Sequence, residues 1–161
     1  MIRFKISEKF NEQKLRQVVI GYEVAERVLN SPSFLAEILK VEEFTYTKDE
    51  PLDVWQKMTD LINGDDFIIK VEPYYYRNKN VIGMTKGDGT IWVNTNGARD
   101  RFTSDYLRNA CHEFGHFPVG YGHGSNFPNG WRARLMGDFA DKNYSVPYIF
   151  EEIAIKVFNN L

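Results

Sequence analysis

The stretch of sequence that decides the fold is His112-Glu113-Phe114-Gly115-His116, which His123 follows seven residues later. The chain holds three histidines, and all of them fall in this segment. An α-helix turns by about 100° per residue, so residues four apart lie almost above one another on one face. On a helix, His112 and His116 would therefore direct both imidazoles to one place. A surface pair, or histidines satisfied in the core, is the alternative interpretation.

The flanking residues predict that helix. Thr103-Ser104-Asp105 is typical of a helix start, with a hydroxyl cap and an acid in the first turn. Pro118 has no amide hydrogen and disfavours helical geometry at Phe117, so we expect the helix to end there. Apolar residues that repeat at helical spacing would bury the other side of the helix: Tyr106, Leu107, Ala110, Phe114 and Phe117.

Two neutral imidazoles on one helical turn are a common start for a zinc site. With a third protein ligand and one open position, such a site is catalytic, whereas a structural site is closed by four protein ligands. Glu113 directly follows the first histidine and is placed to take a proton from a zinc-bound water. The sequence therefore predicts Zn²⁺ as cofactor, His112 and His116 as metal ligands, and Glu113 as the general base.

With these residues the chain resembles the zincin metallopeptidases, and among them the metzincin branch, whose longer pattern is His-Glu-x-x-His-x-x-Gly-x-x-His. This chain departs from that pattern by one inserted residue, because Gly120 comes four residues after His116 and His123 comes seven after it. Gly120 and Gly122 can adopt the positive φ that a chain reversal requires. The resemblance, which covers roughly residues 90–155, implies His123 as the third zinc ligand.

Other branches of the zincins leave the third ligand open. In the thermolysin type a glutamate from a later helix completes the site, which here would be Glu151 or Glu152. In another branch an aspartate follows, which here would be Asp138 or Asp141. A solvated face near the start of a terminal helix, where acids favour the helix dipole, is the preferred interpretation of the two glutamates.

Metzincins also place a methionine-containing turn beneath the metal. Two segments are candidates: Leu135-Met136-Gly137, and Tyr144-Ser145-Val146-Pro147-Tyr148, which lacks methionine but has the character of a tight turn before a helix. The second is similar to a Ser-Val-Pro-Tyr stretch of small phage and bacterial metzincin-like proteins. The resemblance implies a catalytic role for Tyr148, whose phenol would approach the oxyanion of the tetrahedral intermediate. A core aromatic at a helix start is the alternative, as simple packing is for Met136.

The elements predict an α+β fold: one zincin-like domain over residues 1–161, with a mixed twisted sheet packed on helices, the motif helix and a loop-rich C-terminal portion. Hydrophobic periodicity predicts the helices: Glu12 to Leu29, Ser33 to Lys40, Asp53 to Ile62, and a terminal helix to about Asn159. Alternation and turn residues predict the strands: Met1 to Ile6, Glu43 to Thr47, Phe67 to Tyr76, Asn80 to Met84, and Thr90 to Thr95 after a hairpin turn at Lys86-Gly87-Asp88-Gly89.

In the zincin arrangement, an edge strand above the cleft pairs with an extended substrate. The stretch from Gly89 to Asn96 is the candidate for that edge. An edge strand exposes unpaired backbone groups, so a peptide can be held by main-chain hydrogen bonds. An ordinary interior strand is an equally good interpretation of the same residues.

Composition bounds the function. The chain has 161 residues and a formal net charge of −2, which gives no sign of the basic surface that nucleic-acid binding needs. No segment approaches the roughly 20 apolar residues of a membrane helix, and the first residues lack an export signal, so we expect a cytoplasmic protein without membrane partners. The single cysteine, Cys111, is expected to be a buried small residue.

The sequence thus predicts a monomeric zinc metallopeptidase that acts on a peptide or protein substrate, with Glu113 activating the water. Two other classes use the same residues. One is a zinc amidase or other hydrolase acting on a cell-wall or small-molecule amide. The other is a protein without activity, in which zinc holds the loop region as an interaction module. An open coordination position favours an enzyme, whereas four protein ligands would favour the module.

Overall fold

The computed structural model describes residues 1–44, 49–117, 119–120 and 145–161. These residues form, in chain order, strand β1 (Ile2–Ile6), helices α1 (Arg16–Leu29), α2 (Pro32–Ile38) and α3 (Pro51–Asn63), strands β2 (Phe67–Tyr74), β3 (Gly83–Thr85) and β4 (Ile91–Asn94), and helices α4 (Thr103–His116) and α5 (Val146–Asn159). Short 3₁₀ turns lie at Glu8–Phe10, Gln13–Leu15 and Ala98–Asp100. Within these ranges the chain is a single small α+β domain, as predicted.

The four strands form one mixed sheet in the order β1-β2-β4-β3. Strands β1, β2 and β4 are parallel, and β3 is antiparallel to β4, with Met84 opposite Trp92. The turn between β3 and β4 closes through a hydrogen bond from the Gly89 amide to the Lys86 carbonyl at 2.8 Å. Gly89 has a φ of 80°, a conformation that favours glycine. The predicted hairpin turn is therefore confirmed.

The hairpin also corrects one prediction. The stretch from Gly89 to Asn96 was a candidate edge strand, but its strand β4 lies inside the sheet, between β2 and β3. A tight turn can join only antiparallel neighbours, so β3 necessarily pairs with one side of β4 while β2 pairs with the other. Among the strands that the structure describes, the outermost at this end of the sheet is β3.

The opposite edge, β1, is closed by side chains of α1. The Ile2 amide donates to the Asn30 Oδ1 at 2.9 Å, and the Phe4 amide donates to the Glu26 Oε2 at 2.9 Å. The Asn30 Nδ2 donates in return to the Ile2 carbonyl at 2.8 Å. Because these bonds occupy the outward backbone groups of Ile2 and the amide of Phe4, they hinder a second chain from pairing with that part of the strand.

The core lies between one face of the sheet and the helices. Strand residues alternate between buried and exposed positions, so Phe4, Val71 and Val93 are buried, whereas Lys5 and Lys70 are exposed. Helix α1 packs on β1 and on α4, and α5 packs mainly on α4. As a result, the motif helix lies at the centre of the helical layer, with β3 on one side and α5 on the other.

Several element boundaries differ from the predictions. Helix α4 begins at Thr103 as expected, but its N-cap is Phe102, and no hydroxyl caps it. The Asp105 Oδ2 instead accepts the Phe102 amide hydrogen at 2.8 Å, which is one half of a capping box. A 3₁₀ turn precedes α1, so that helix begins at Arg16 rather than Glu12. Of the predicted strand from Glu43 to Thr47, the first two residues have no regular structure and the rest lie outside the described ranges.

Candidate metal centre

Helix α4 brings His112 and His116 together, one turn apart on the same face. Their Nε2 atoms lie 3.2 Å from each other, and the ring centroids are 5.0 Å apart. Both side chains are only partly buried. The Nε2 atoms therefore converge on one place beside this face of α4.

The separation of these two atoms fits a metal ion. Zinc binds histidine nitrogen at about 2.0–2.1 Å in tetrahedral geometry, which requires two such nitrogens to lie about 3.3 Å apart. The observed 3.2 Å is close to that value, so little side-chain movement would be needed. Without a metal, the same separation is a hydrogen bond in which one neutral ring donates to the other.

A carboxylate from α5 contacts the far side of His112. The Glu151 Oε1 lies 2.5 Å from the His112 Nδ1, and the two side chains are 21% and 13% exposed. The neighbouring Glu152 instead pairs with Arg108 at 2.9 Å on the surface. The interpretation of a solvated acidic face is therefore right for Glu152 and wrong for Glu151. Glu151 faces Nδ1, whereas the convergent atoms of the histidine pair are Nε2.

The Tyr148 ring lies against the same histidine. The rings of Tyr148 and His112 meet edge to face, with centroids 4.7 Å apart and an interplanar angle of 84°. Tyr148 is half-buried, so it borders the site without being a core aromatic. The structure thus places this predicted site residue beside the histidine pair.

Gly115 explains how α5 comes so close to α4. A Cβ atom at Gly115 would lie 2.9 Å from the Pro147 Cα, which is closer than carbon atoms approach one another. The start of α5, from Ser145 to Tyr148, therefore packs directly on the turn of the motif helix that carries His116. This contact fixes the position of Tyr148 and of Glu151 one turn later.

Glu113 points away from solvent, towards strand β3. It is only 6% exposed, and its Oε2 accepts a hydrogen bond from the Thr85 Oγ1 at 2.6 Å. The Asn109 Nδ2 lies 3.5 Å from its other oxygen. The Tyr22 hydroxyl donates to the Asn109 Oδ1 at 2.9 Å, and both burial and the nearby charge of Glu113 raise the pKa of Tyr22, so this phenol stays a donor.

The sequence analysis did not identify Asn109, Thr85 or Tyr22, and it did not predict the contact of Glu151 with the His112 Nδ1. Asn109 lies four positions before Glu113, so its place on the same helical face was available from the spacing. Nothing in the local sequence marks Thr85, Tyr22 or the contact of Glu151 with Nδ1, because each depends on how separate elements pack.

Other predicted candidates lie outside the described residues, namely His123, Asp138, Asp141, Met136 and Gly122. Gly120 is described, and its φ of 85° agrees with the expected positive value. Among the described residues, no group of three or more His, Cys, Asp or Glu side chains is arranged to hold a metal ion. Cys111 is buried, as expected, and that burial raises the pKa of its thiol.

Comparison with protein-family models, with curated proteins and with solved structures found no match to this chain. In the part of the chain that the structure describes, the helices are all too short or too polar to cross a bilayer.

Proposed function

We propose that this chain is a zinc-dependent metallopeptidase of the zincin type, which hydrolyses peptide bonds. The observation that carries the proposal is the 3.2 Å approach of the His112 and His116 Nε2 atoms, on a helix in which the residue after His112 is the buried Glu113. His112 and His116 would hold the ion, and His123 is proposed as the third ligand. When bound, zinc supplies Lewis acidity that polarises a carbonyl and makes water acidic near neutral pH.

Glu113 is proposed as the proton carrier. A general base must be held where the proton is released and must pass it to the leaving amine. The hydroxyl of Thr85 and the amide of Asn109 restrict the carboxylate to one orientation. A carboxylate that is fixed in advance loses less conformational freedom in the transition state, which favours catalysis.

Strand β3 is proposed to hold the peptide substrate. The Lys86 amide donates to the Thr90 carbonyl of the hairpin at 3.0 Å, so Lys86 faces β4. In an antiparallel pair, backbone groups alternate between the two sides of a strand. Gly83 and Thr85 therefore direct their N–H and C=O groups outwards, where an extended peptide would add a further strand. Because the Thr85 side chain contacts Glu113, such a peptide would lie beside the general base.

Tyr148 is proposed to assist at the carbonyl oxygen. A phenol hydroxyl that donates to a developing oxyanion stabilises the transition state. The contact of its ring with the ring of His112 supports this role, because it brings the side chain to the border of the site.

The experiment combines metal binding with hydrolysis. We expect the purified chain to bind one zinc ion in competition with a chromophoric chelator, and to cleave a quenched-fluorescence peptide library in a zinc-dependent manner. His112→Ala and His116→Ala should each abolish stoichiometric zinc. Glu113→Gln should keep zinc but lower kcat/KM by about 10²–10⁴-fold, while Glu23→Gln, an exposed change on α1, should change neither.

The outcomes separate the three classes of function. Undiminished turnover by Glu113→Gln would refute the role of that residue. Zinc binding with cleavage of peptidoglycan fragments or small amides, but not of peptides, would point to an amidase. Stoichiometric zinc with four protein ligands and no hydrolysis would indicate an interaction module.

A further inference from the structure

We propose that Glu151 is a positioning residue that sets the tautomer and the orientation of His112 for metal binding. This inference rests on the proposed zinc site and adds a residue from outside the motif, 39 positions along the chain. Its carboxylate lies 2.5 Å from the His112 Nδ1. The adjacent Glu152 pairs instead with Arg108 at the surface.

The contact decides which nitrogen of His112 carries the proton. A neutral imidazole has one N–H donor and one acceptor nitrogen. Because a carboxylate oxygen accepts hydrogen bonds, its contact with Nδ1 places the N–H of the ring on that nitrogen. The lone pair of the ring is then on Nε2, which is the atom directed towards His116 at 3.2 Å. That is the tautomer a metal ion requires at this place.

Helix α5 holds the ring from two directions at once. Tyr148 and Glu151 are three positions apart on α5, so they share one face of that helix. Tyr148 contacts the ring edge to face, and Glu151 bonds its far nitrogen. Because α5 packs closely on α4 where Pro147 meets Gly115, both side chains have a defined position relative to His112.

The same geometry argues against Glu151 as a direct ligand. A third ligand would have to reach the place where the two Nε2 atoms converge, whereas this carboxylate contacts Nδ1 on the opposite side of the ring. Partners of this kind orient a ligating histidine and increase its basicity, and their loss weakens metal binding by about 10- to 100-fold.

The test compares two substitutions of Glu151 with a matched control next to it. Glu151→Met removes the acceptor while keeping an unbranched side chain, and Glu151→Gln keeps an acceptor oxygen without the charge. The control, Glu152→Met, makes the same change at an exposed position that is 61% accessible. Thermal unfolding of each metal-free variant first establishes that it folds.

Zinc dissociation constants are then measured by chelator competition. We expect Glu151→Met to bind zinc about 10- to 100-fold more weakly than the parent chain, Glu151→Gln to fall in between, and Glu152→Met to match the parent. Long-range ¹H–¹⁵N NMR of the imidazole rings gives a second readout without metal. It should show His112 protonated on Nδ1 in the parent and a mixture of tautomers in Glu151→Met.

Two results would overturn the inference. One is an unchanged dissociation constant in Glu151→Met while the parent binds zinc, which leaves the proposed function intact. The other is an Nε2-protonated His112 in the metal-free parent. A parent chain that binds no zinc would overturn the proposed function as well, so the two failures are distinguishable.

Discussion

Gly115→Ala tests whether the close packing of α5 on α4 builds the site. The added Cβ would lie 2.9 Å from the Pro147 Cα and 3.3 Å from the Pro147 Cβ. Since the nearest of these atoms is backbone, no side-chain rotation can relieve the contact, and the two helices must move apart.

The expected magnitude follows from two opposing terms. Forcing an extra methyl group into a packed core costs about 1–3 kcal/mol, and a backbone neighbour places this site at the upper end. Replacing glycine by alanine inside a helix stabilises the helix by about 1 kcal/mol, because alanine has the higher helix propensity. We therefore expect a net loss of about 1–2 kcal/mol in the free energy of unfolding.

Urea denaturation of the metal-free protein, followed by circular dichroism, measures this loss. Gly87→Ala is the control, because a Cβ there would meet no atom within 4 Å. Zinc affinity should also fall in Gly115→Ala, since His116 follows directly and Tyr148 moves with Pro147. An equally stable or more stable Gly115→Ala protein would show that the helix contact is looser than the structure indicates and would refute the reasoning.

Two further predictions concern the surroundings of the site. Thr85→Val removes the hydroxyl that donates to buried Glu113, so it should lower the free energy of unfolding by about 1.5–3 kcal/mol and reduce kcat/KM, whereas Thr85→Ser keeps the hydroxyl and should change neither. Urea titration and peptide turnover measure these effects. A Thr85→Val protein with unchanged stability and turnover would contradict the prediction. Cys111 is fully buried and burial raises the pKa of its thiol, so it should react with a disulfide reagent at pH 8 only after unfolding. Rapid labelling of Cys111 in the native protein would contradict this prediction, because it would show that the packing around the thiol opens without unfolding.

The sequence predicted the elements whose pattern is local. Helix α4 follows from apolar spacing and from an acid in its first turn, and its end at His116 follows from Pro118 two residues later. The hairpin between β3 and β4 follows from its glycine-rich turn. In both cases the residues that determine the structure are neighbours along the chain, so periodicity and turn chemistry were sufficient.

What the sequence did not predict depends on the order of the strands and on the docking of α5. β4 is an interior strand because β2 pairs with the side that the hairpin leaves open, and the sequence of β4 alone does not indicate that pairing. Glu151 and Glu152 are likewise adjacent on the predicted terminal helix, so the sequence does not indicate which of them contacts the histidine pair. Only the rotation of α5 about its axis brings Glu151 to His112 and leaves Glu152 at the surface.

His112 and His116 give the helix two convergent imidazoles, and three side chains from other elements contact the motif: Thr85 contacts Glu113, Tyr148 the ring of His112, and Glu151 its Nδ1. Gly115 lies between the two histidines and has no side chain, which lets α5 pack closely on α4. One residue of the motif therefore allows Tyr148 and Glu151 to reach His112. A His-Glu-x-x-His helix with a larger residue in that position would keep both imidazoles but would hold α5 farther away. It would then lose the restraint on His112 while keeping the match to the short pattern.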